Sequence, residues 1–260
     1  MSVLWKRWEN LWTSLPHLWF ELTLSDDRTH FMYFVERVLC LHDADIKRFT
    51  LSCEVPCDAP RVHSWVSAAV RKNVTDLYIE IPHLAGLPCT ICFSSLKILT
   101  IKYFVFGDEG TTQKLFSDLP VLEKLYLEDC SWEFIKVLSI SAPQLHFLSI
   151  SELQTEILEN CQIIIFGDCL KEFVYTGHLL MDYCLFNSLF LETADIDLVP
   201  CDITSEEMSY RVHNLLVGVC NVKYLTLSYE VVQFLVDAPE LCLIFLSSTT
   251  YWIWNSLWEN

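Results

Sequence analysis

A short apolar pattern recurs along this chain: one apolar residue, two others, a second apolar residue, one other, and a third. Clear copies are Ile46/Phe49/Leu51, Val74/Leu77/Ile79, Leu96/Leu99/Ile101, Leu122/Leu125/Leu127, Leu145/Leu148/Ile150 and Val222/Leu225/Leu227. Weaker copies are Leu170/Phe173/Tyr175 and Leu191/Ala194/Ile196. The middle positions are separated by 28, 22, 26, 23, 25, 21 and 31 residues. The longest interval predicts an insertion around residues 201–210.

Alternate residues of a strand point to opposite faces, so Leu125 and Leu127 face one way and Lys124, Tyr126 and Glu128 the other. A single strand cannot bury its apolar side, but parallel neighbours stacked along the array share one elongated core. The period matches the leucine-rich repeat, at about 20–29 residues. The fold expected is an α/β leucine-rich-repeat solenoid, with a parallel sheet on the concave face and irregular helices or extended segments on the convex face. The outward set is mostly polar with scattered aromatics. It includes Arg48, Tyr78, Lys102, Lys124, Tyr126, Phe147, Glu172 and Tyr224. Two readings stand for it, a merely solvated sheet and a partner-binding face; Tyr and Arg are enriched at binding hot spots.

Two helices are predicted outside the strands. Phe31, Phe34, Val35, Val38 and Leu39 form one amphipathic stripe, and Val62, Val66 and Val70 another. Each precedes a strand, as helix-then-strand units require. Later connections read as more extended, with residues 135–141 as the example. Both ends are apolar: Trp5, Trp8, Trp12 and Trp19 crowd the first, and Trp252, Trp254 and Trp258 the last. Such ends mark a partner site or a missing domain.

Charge narrows the partners. There are 34 acidic residues against 17 basic, a net charge of −17, and no basic patch, so nucleic acid is not expected as a ligand. Acidic residues thicken at Asp195, Asp197 and Asp202 and at Glu206 and Glu207, which reads either as a solvated face or as a site for a basic partner. Lys6, Arg7 and Glu9 interrupt the first segment, so no secretory leader is expected there. No run approaches the roughly 18 apolar residues of a membrane span. The 12 cysteines are therefore expected to stay reduced, in the cytoplasm or nucleus, mostly as small buried hydrophobes.

Motifs for chemistry are weak. Cys89 and Cys92 form a lone CxxC without the second pair that a zinc site of about four ligands needs. Cys53 and Cys57 flank a proline-containing turn and read as structural thiols. The histidines are dispersed, and nucleophile elbows, dinucleotide loops and phosphate loops are absent. Asp195 and Asp197 resemble a carboxylate pair, but alternation on a solvent face explains them. No catalytic residue, metal or cofactor is expected, and the chain reads as a non-enzyme.

The N-terminal string from Ser2 to Pro16, with Lys6-Arg7-Trp8 and Leu11-Trp12-Thr13-Ser14-Leu15-Pro16, resembles the closing part of an F-box. It is the form found in plant F-box proteins with leucine-rich repeats, often followed by an FBD domain. The strings Phe34 to Leu39, Arg61 to Ile79, Phe93 to Lys97, Leu119 to Glu123 and Ser141 to Leu145 are similar to repeats of the same family. The resemblance implies a substrate receptor of an SCF-type ubiquitin ligase. Its F-box binds a Skp-type adaptor, here through Leu4, Trp8, Leu11 and Trp12, and its repeats hold an unknown target protein. It divides the chain into an F-box remnant at 1–24, repeats at 25–246 and an apolar tail at 247–260, where no FBD region is recognisable. The F-box is expected to be truncated, and the alternative is a repeat scaffold or remnant unable to bind the adaptor.

Overall fold

Stacked parallel strands are what the recurring pattern forms in the computed structural model, which describes residues 11–87, 92–152, 161–200, 205–237 and 251–254. The main sheet contains β1 (His17–Leu22), β2 (Arg48–Cys53), β3 (Asp76–Ala85), β4 (Ile98–Val105) and β5 (Lys124–Glu128). After an intervening outer strand β6 (Val137–Ile140), it continues through β7 (Phe147–Glu152), with β8 (Gln162–Phe166) again outside it. Then come β9 (Glu172–Gly177), outer strand β10 (Asp182–Phe186), β11 (Thr193–Leu198), β12 (Tyr224–Leu227) and β13 (Tyr251–Trp254). The main-sheet strands lie in chain order, all parallel.

The register stacks the middle position of every copy into one row: Phe49, Leu77, Leu99, Leu125, Leu148, Phe173, Ala194 and Leu225. Each of these is 0% exposed, and all belong to one continuous core. Burying one such Leu or Phe stabilises the fold by roughly 1.5–3 kcal/mol. The row is therefore the spine of the molecule, as the apolar spacing predicts.

The outer layer is mixed. The two predicted helices form, as α1 (Arg28–Leu41) and α2 (Ala59–Arg71). Asp27 caps α1, accepting from the backbone N–H groups of Thr29 and His30 at 2.8 and 3.1 Å. Helix α3 (Glu109–Ser117) was not legible beforehand; Asp108 caps it through the Thr111 N–H at 2.9 Å. The extended segment expected at 135–141 contains β6, which joins β8 and β10 in a second, three-stranded parallel sheet. The expected insertion at 201–210 leads into a helix, α4 (Ser205–Val219), followed by α5 (Tyr229–Asp237). Residues 201–204 lie outside the described residues. Met208, Val212, Leu215, Leu216 and Val219 turn inward from α4. That stripe makes it a packed element of its repeat, lying so close on β10 that a Cβ at Gly218 would fall 2.5 Å from the Leu185 Cβ.

Unit length goes with which element forms outside. The intervals of 28, 26 and 31 residues hold α2, α3 and α4, whereas those of 23, 25 and 21 hold β6, β8 and β10. A helix rises about 1.5 Å per residue and a strand about 3.3 Å, so returning across the same width takes about twice as many helical residues.

The main sheet extends further at both ends than the repeated pattern does. Strand β1 pairs with β2 through His17 to Leu22, and β13 pairs with β12 through Tyr251 to Trp254. Among the described residues no helix is long and apolar enough to cross a membrane.

Candidate protein-binding face

The alternation that buries the spine turns its neighbours outward on the other side of the main sheet. All eight outward residues singled out from the sequence lie on that side. Arg48, Glu172 and Tyr224 are exposed; Tyr78, Lys102, Lys124, Tyr126 and Phe147 are half-buried. Thr100, outward by alternation, is buried, since its register places it between Tyr78 and Tyr126.

Five of the eight fall in two adjoining groups on neighbouring strands. The Lys102 Nζ sits 5.6 Å from the centre of the Tyr78 ring and 2.5 Å from a Glu128 carboxylate oxygen. The Tyr78 hydroxyl donates to Glu80 at 2.8 Å, and Ser52 donates to the same oxygen at 2.9 Å. One strand further on, the Tyr126 and Phe147 rings are 4.9 Å apart, and the Lys124 Nζ is 5.8 Å from the Phe147 ring. A cation over an aromatic ring contributes about 0.5–1 kcal/mol at an exposed site and more when desolvated. Burial disfavours the Lys102 ammonium, but Glu128 outweighs it and holds the charge firmly on. Burial and then the hydrogen bond to Glu80 push the Tyr78 phenol up to about 12. The two groups thus present fixed, protonated donors beside flat apolar rings. Arg48 stands apart, held by Asp76 at 2.6 Å.

Further along, the face turns acidic. Burial raises the pKa of Asp195, and Asp197 and Glu172 raise it further. Burial likewise raises Asp197, helped by Glu230 on α5. These two carboxylates lie two residues apart on one side of β11, as their alternation predicts. No group of three or more potential metal ligands occurs among the described residues.

The face also contains a residue the sequence reading did not assign to it. Trp19 is outward on β1, aligned with Thr50, and 73% exposed. Its signal was the alternation of His17, Trp19 and Glu21 against buried Leu18, Phe20 and Leu22, masked by the apolar load of the whole segment. Of the residues expected to touch an adaptor, Leu4 and Trp8 lie outside the described residues. Leu11 opens a short 3-10 turn (Leu11–Ser14), and Trp12 in that turn lines a groove of about 540 Å³ with Leu15, Trp19 and Phe34. Of the CxxC pair, Cys89 lies outside the described residues and Cys92 is exposed.

Comparison with known proteins agrees with this architecture. An F-box/LRR-repeat protein of Arabidopsis thaliana is 28% identical over 97% of this chain and 90% of its own length. A second is 27% identical over 90% of this chain and 74% of its own length. An F-box/FBD/LRR-repeat protein of the same plant is 28% identical over 98% of this chain, which spans 65% of that relative. No profile of a known protein family matches the chain. No solved structure matches it significantly. Along nearly its whole length, this chain is similar to the plant F-box/leucine-rich-repeat proteins, as the strings at its N-terminus and in its repeats imply.

Proposed function

We propose that the chain is a substrate receptor of an SCF-type ubiquitin ligase, acting in the cytoplasm or nucleus and holding its target protein on the outward face of the main sheet. The reading assigns it no chemistry of its own. The observation that carries it is the set of Tyr78, Lys102, Lys124, Tyr126 and Phe147: aromatic and cationic side chains on adjacent strands of a rigid sheet. Binding energy concentrates in anchors of this kind. The names of the similar plant proteins support the F-box half of the reading. On this reading Leu4, Trp8, Leu11 and Trp12 contact a Skp-type adaptor.

Co-expression with a Skp-type adaptor tests it. Retention of the chain on tagged adaptor is expected, with loss in a Trp8→Ala/Trp12→Ala variant. No retention of the intact chain favours a repeat scaffold outside the ligase. The Lys124→Glu/Tyr126→Ala variant is expected to keep the adaptor and lose the target.

A further inference from the structure

Resting on the reading of the main-sheet face as the target site, we propose what the target presents to it: a basic segment lying across the strands from Tyr126 to Asp195. An apolar side chain of that segment sits at the Tyr126 and Phe147 rings, and a lysine or arginine about four residues away sits over Asp195 and Asp197.

The register sets the two ends on one line. Tyr126, Ser149, Val174 and Asp195 are successive partners on β5, β7, β9 and β11. Adjacent strands lie about 4.8 Å apart, so Asp195 is about 14 Å from Tyr126. An extended chain advances about 3.3 Å per residue and spans that gap in about four residues. Between the ends the floor is low, because the outward residues of that line are only Ser149 and Val174, both half-buried.

The two ends differ in charge. At the first, the Tyr126 and Phe147 rings lie together and Lys124 stands over Phe147. At the second, Asp195 and Asp197 share one side of β11, and Glu172 is in register with Thr193 on the neighbouring β9. Helix α5 packs on β11 and adds Glu230 in its first turn. Earlier along the face the carboxylates are matched within the chain: Asp76 with Arg48, Glu80 with Tyr78 and Glu128 with Lys102. Among the described residues none of the four later carboxylates is in an ion pair. Asp195 and Asp197 are also half-buried, so water screens them only in part. The complement of that end is a cation supplied from outside the chain. Lys124 repels a cation at the aromatic end, which fixes the direction in which the segment lies. Charges at the rim of such a site act mainly on encounter and its salt dependence, while the aromatic anchors hold the complex.

A phage-displayed library of random short peptides, selected on the folded intact chain without adaptor, tests this. Enriched peptides are expected to combine an aromatic or aliphatic residue with Lys or Arg about four positions away. On the Asp195→Asn/Asp197→Asn variant the basic preference should be lost and the apolar one kept. On Tyr126→Ala/Phe147→Ala the apolar preference should go. In fluorescence anisotropy, an enriched peptide should bind the Asp195→Asn/Asp197→Asn variant about 5-fold more weakly, with a flatter dependence on salt. Enrichment of acidic or uncharged peptides overturns the proposal. So does enrichment of basic peptides without a fixed spacing, or none beyond that on the urea-unfolded chain. Each of these results leaves adaptor retention, and with it the ligase reading, standing. Peptides enriched equally on the intact chain and on both variants bind elsewhere and overturn the reading of the face as well.

Discussion

Two stretches of one face obey the same alternation and carry opposite electrostatics. From β3 to β7, charges are matched and set against rings: Lys102 with Glu128 and Tyr78, Lys124 over Phe147. On β11, Asp195 and Asp197 press on each other and on Glu172 and Glu230, and among the described residues neither is in an ion pair. The backbone is equivalent in the two stretches, since the register runs unbroken from one to the other. The difference teaches that the repeat fixes where side chains point and leaves their chemistry free. A compensated, aromatic stretch has its charges balanced and offers anchors. An uncompensated acidic one weakens the fold at neutral pH.

The largest effect is expected from breaking the aromatic stretch. Lys124→Glu with Tyr126→Ala should lower target capture by about 100-fold, two hot-spot losses combined. The Asp195→Asn/Asp197→Asn double variant should change capture far less. Parallel pull-downs of the two variants decide it, and equal losses would erase the contrast.

Next comes the junction between the stretches. The Glu152 carboxylate is 1% exposed and accepts hydrogen bonds from Tyr175, at 2.6 Å, and from Tyr183 of the outer sheet. Gly177, at φ 153°, passes so close that a Cβ would come 2.7 Å from the Glu152 carbonyl oxygen. A buried carboxylate losing a donor is expensive, so Tyr183→Phe should destabilise the chain by about 1–3 kcal/mol in denaturant titration. A value near zero would mean that Glu152 does not tie the two sheets.

The smallest effect tests the acidic stretch itself. The folded-state pKa of Asp195 is raised, so folding disfavours its charged form. The penalty is fully present above the folded pKa. It falls away as pH drops through it and vanishes below the ordinary 3.8. Asp195→Asn should therefore stabilise the chain at neutral pH, by about 0.5 kcal/mol after solvent screening, with the gain disappearing in acid. Thermal melts across pH check this, and a gain that grows in acid would reverse the sign.

These contrasts also show what the sequence makes legible. Leu99 and Leu125 declare their strands because two constraints coincide, alternation within a strand and recurrence between strands. Gln162–Phe166 lacks recurrence and could not be placed in an outer sheet. Helix α4 carries an inward stripe from Met208 to Val219, but the long interval announces only extra chain, since length alone does not separate a helix from a loop. The face residues followed from alternation alone, so Lys102 and Phe147 could be placed on it beforehand. Their pairing with Tyr78 and Lys124 could not, because it depends on cross-strand register.

The most direct test places a photo-crosslinking phenylalanine analogue at Tyr126 on the main sheet, and separately at Phe186, 51% exposed on the outer strand β10. In plant cells, irradiation is expected to give a discrete adduct from position 126 and none from 186. An adduct from 186 with none from 126 would place recognition on the opposite side of the molecule and contradict the account.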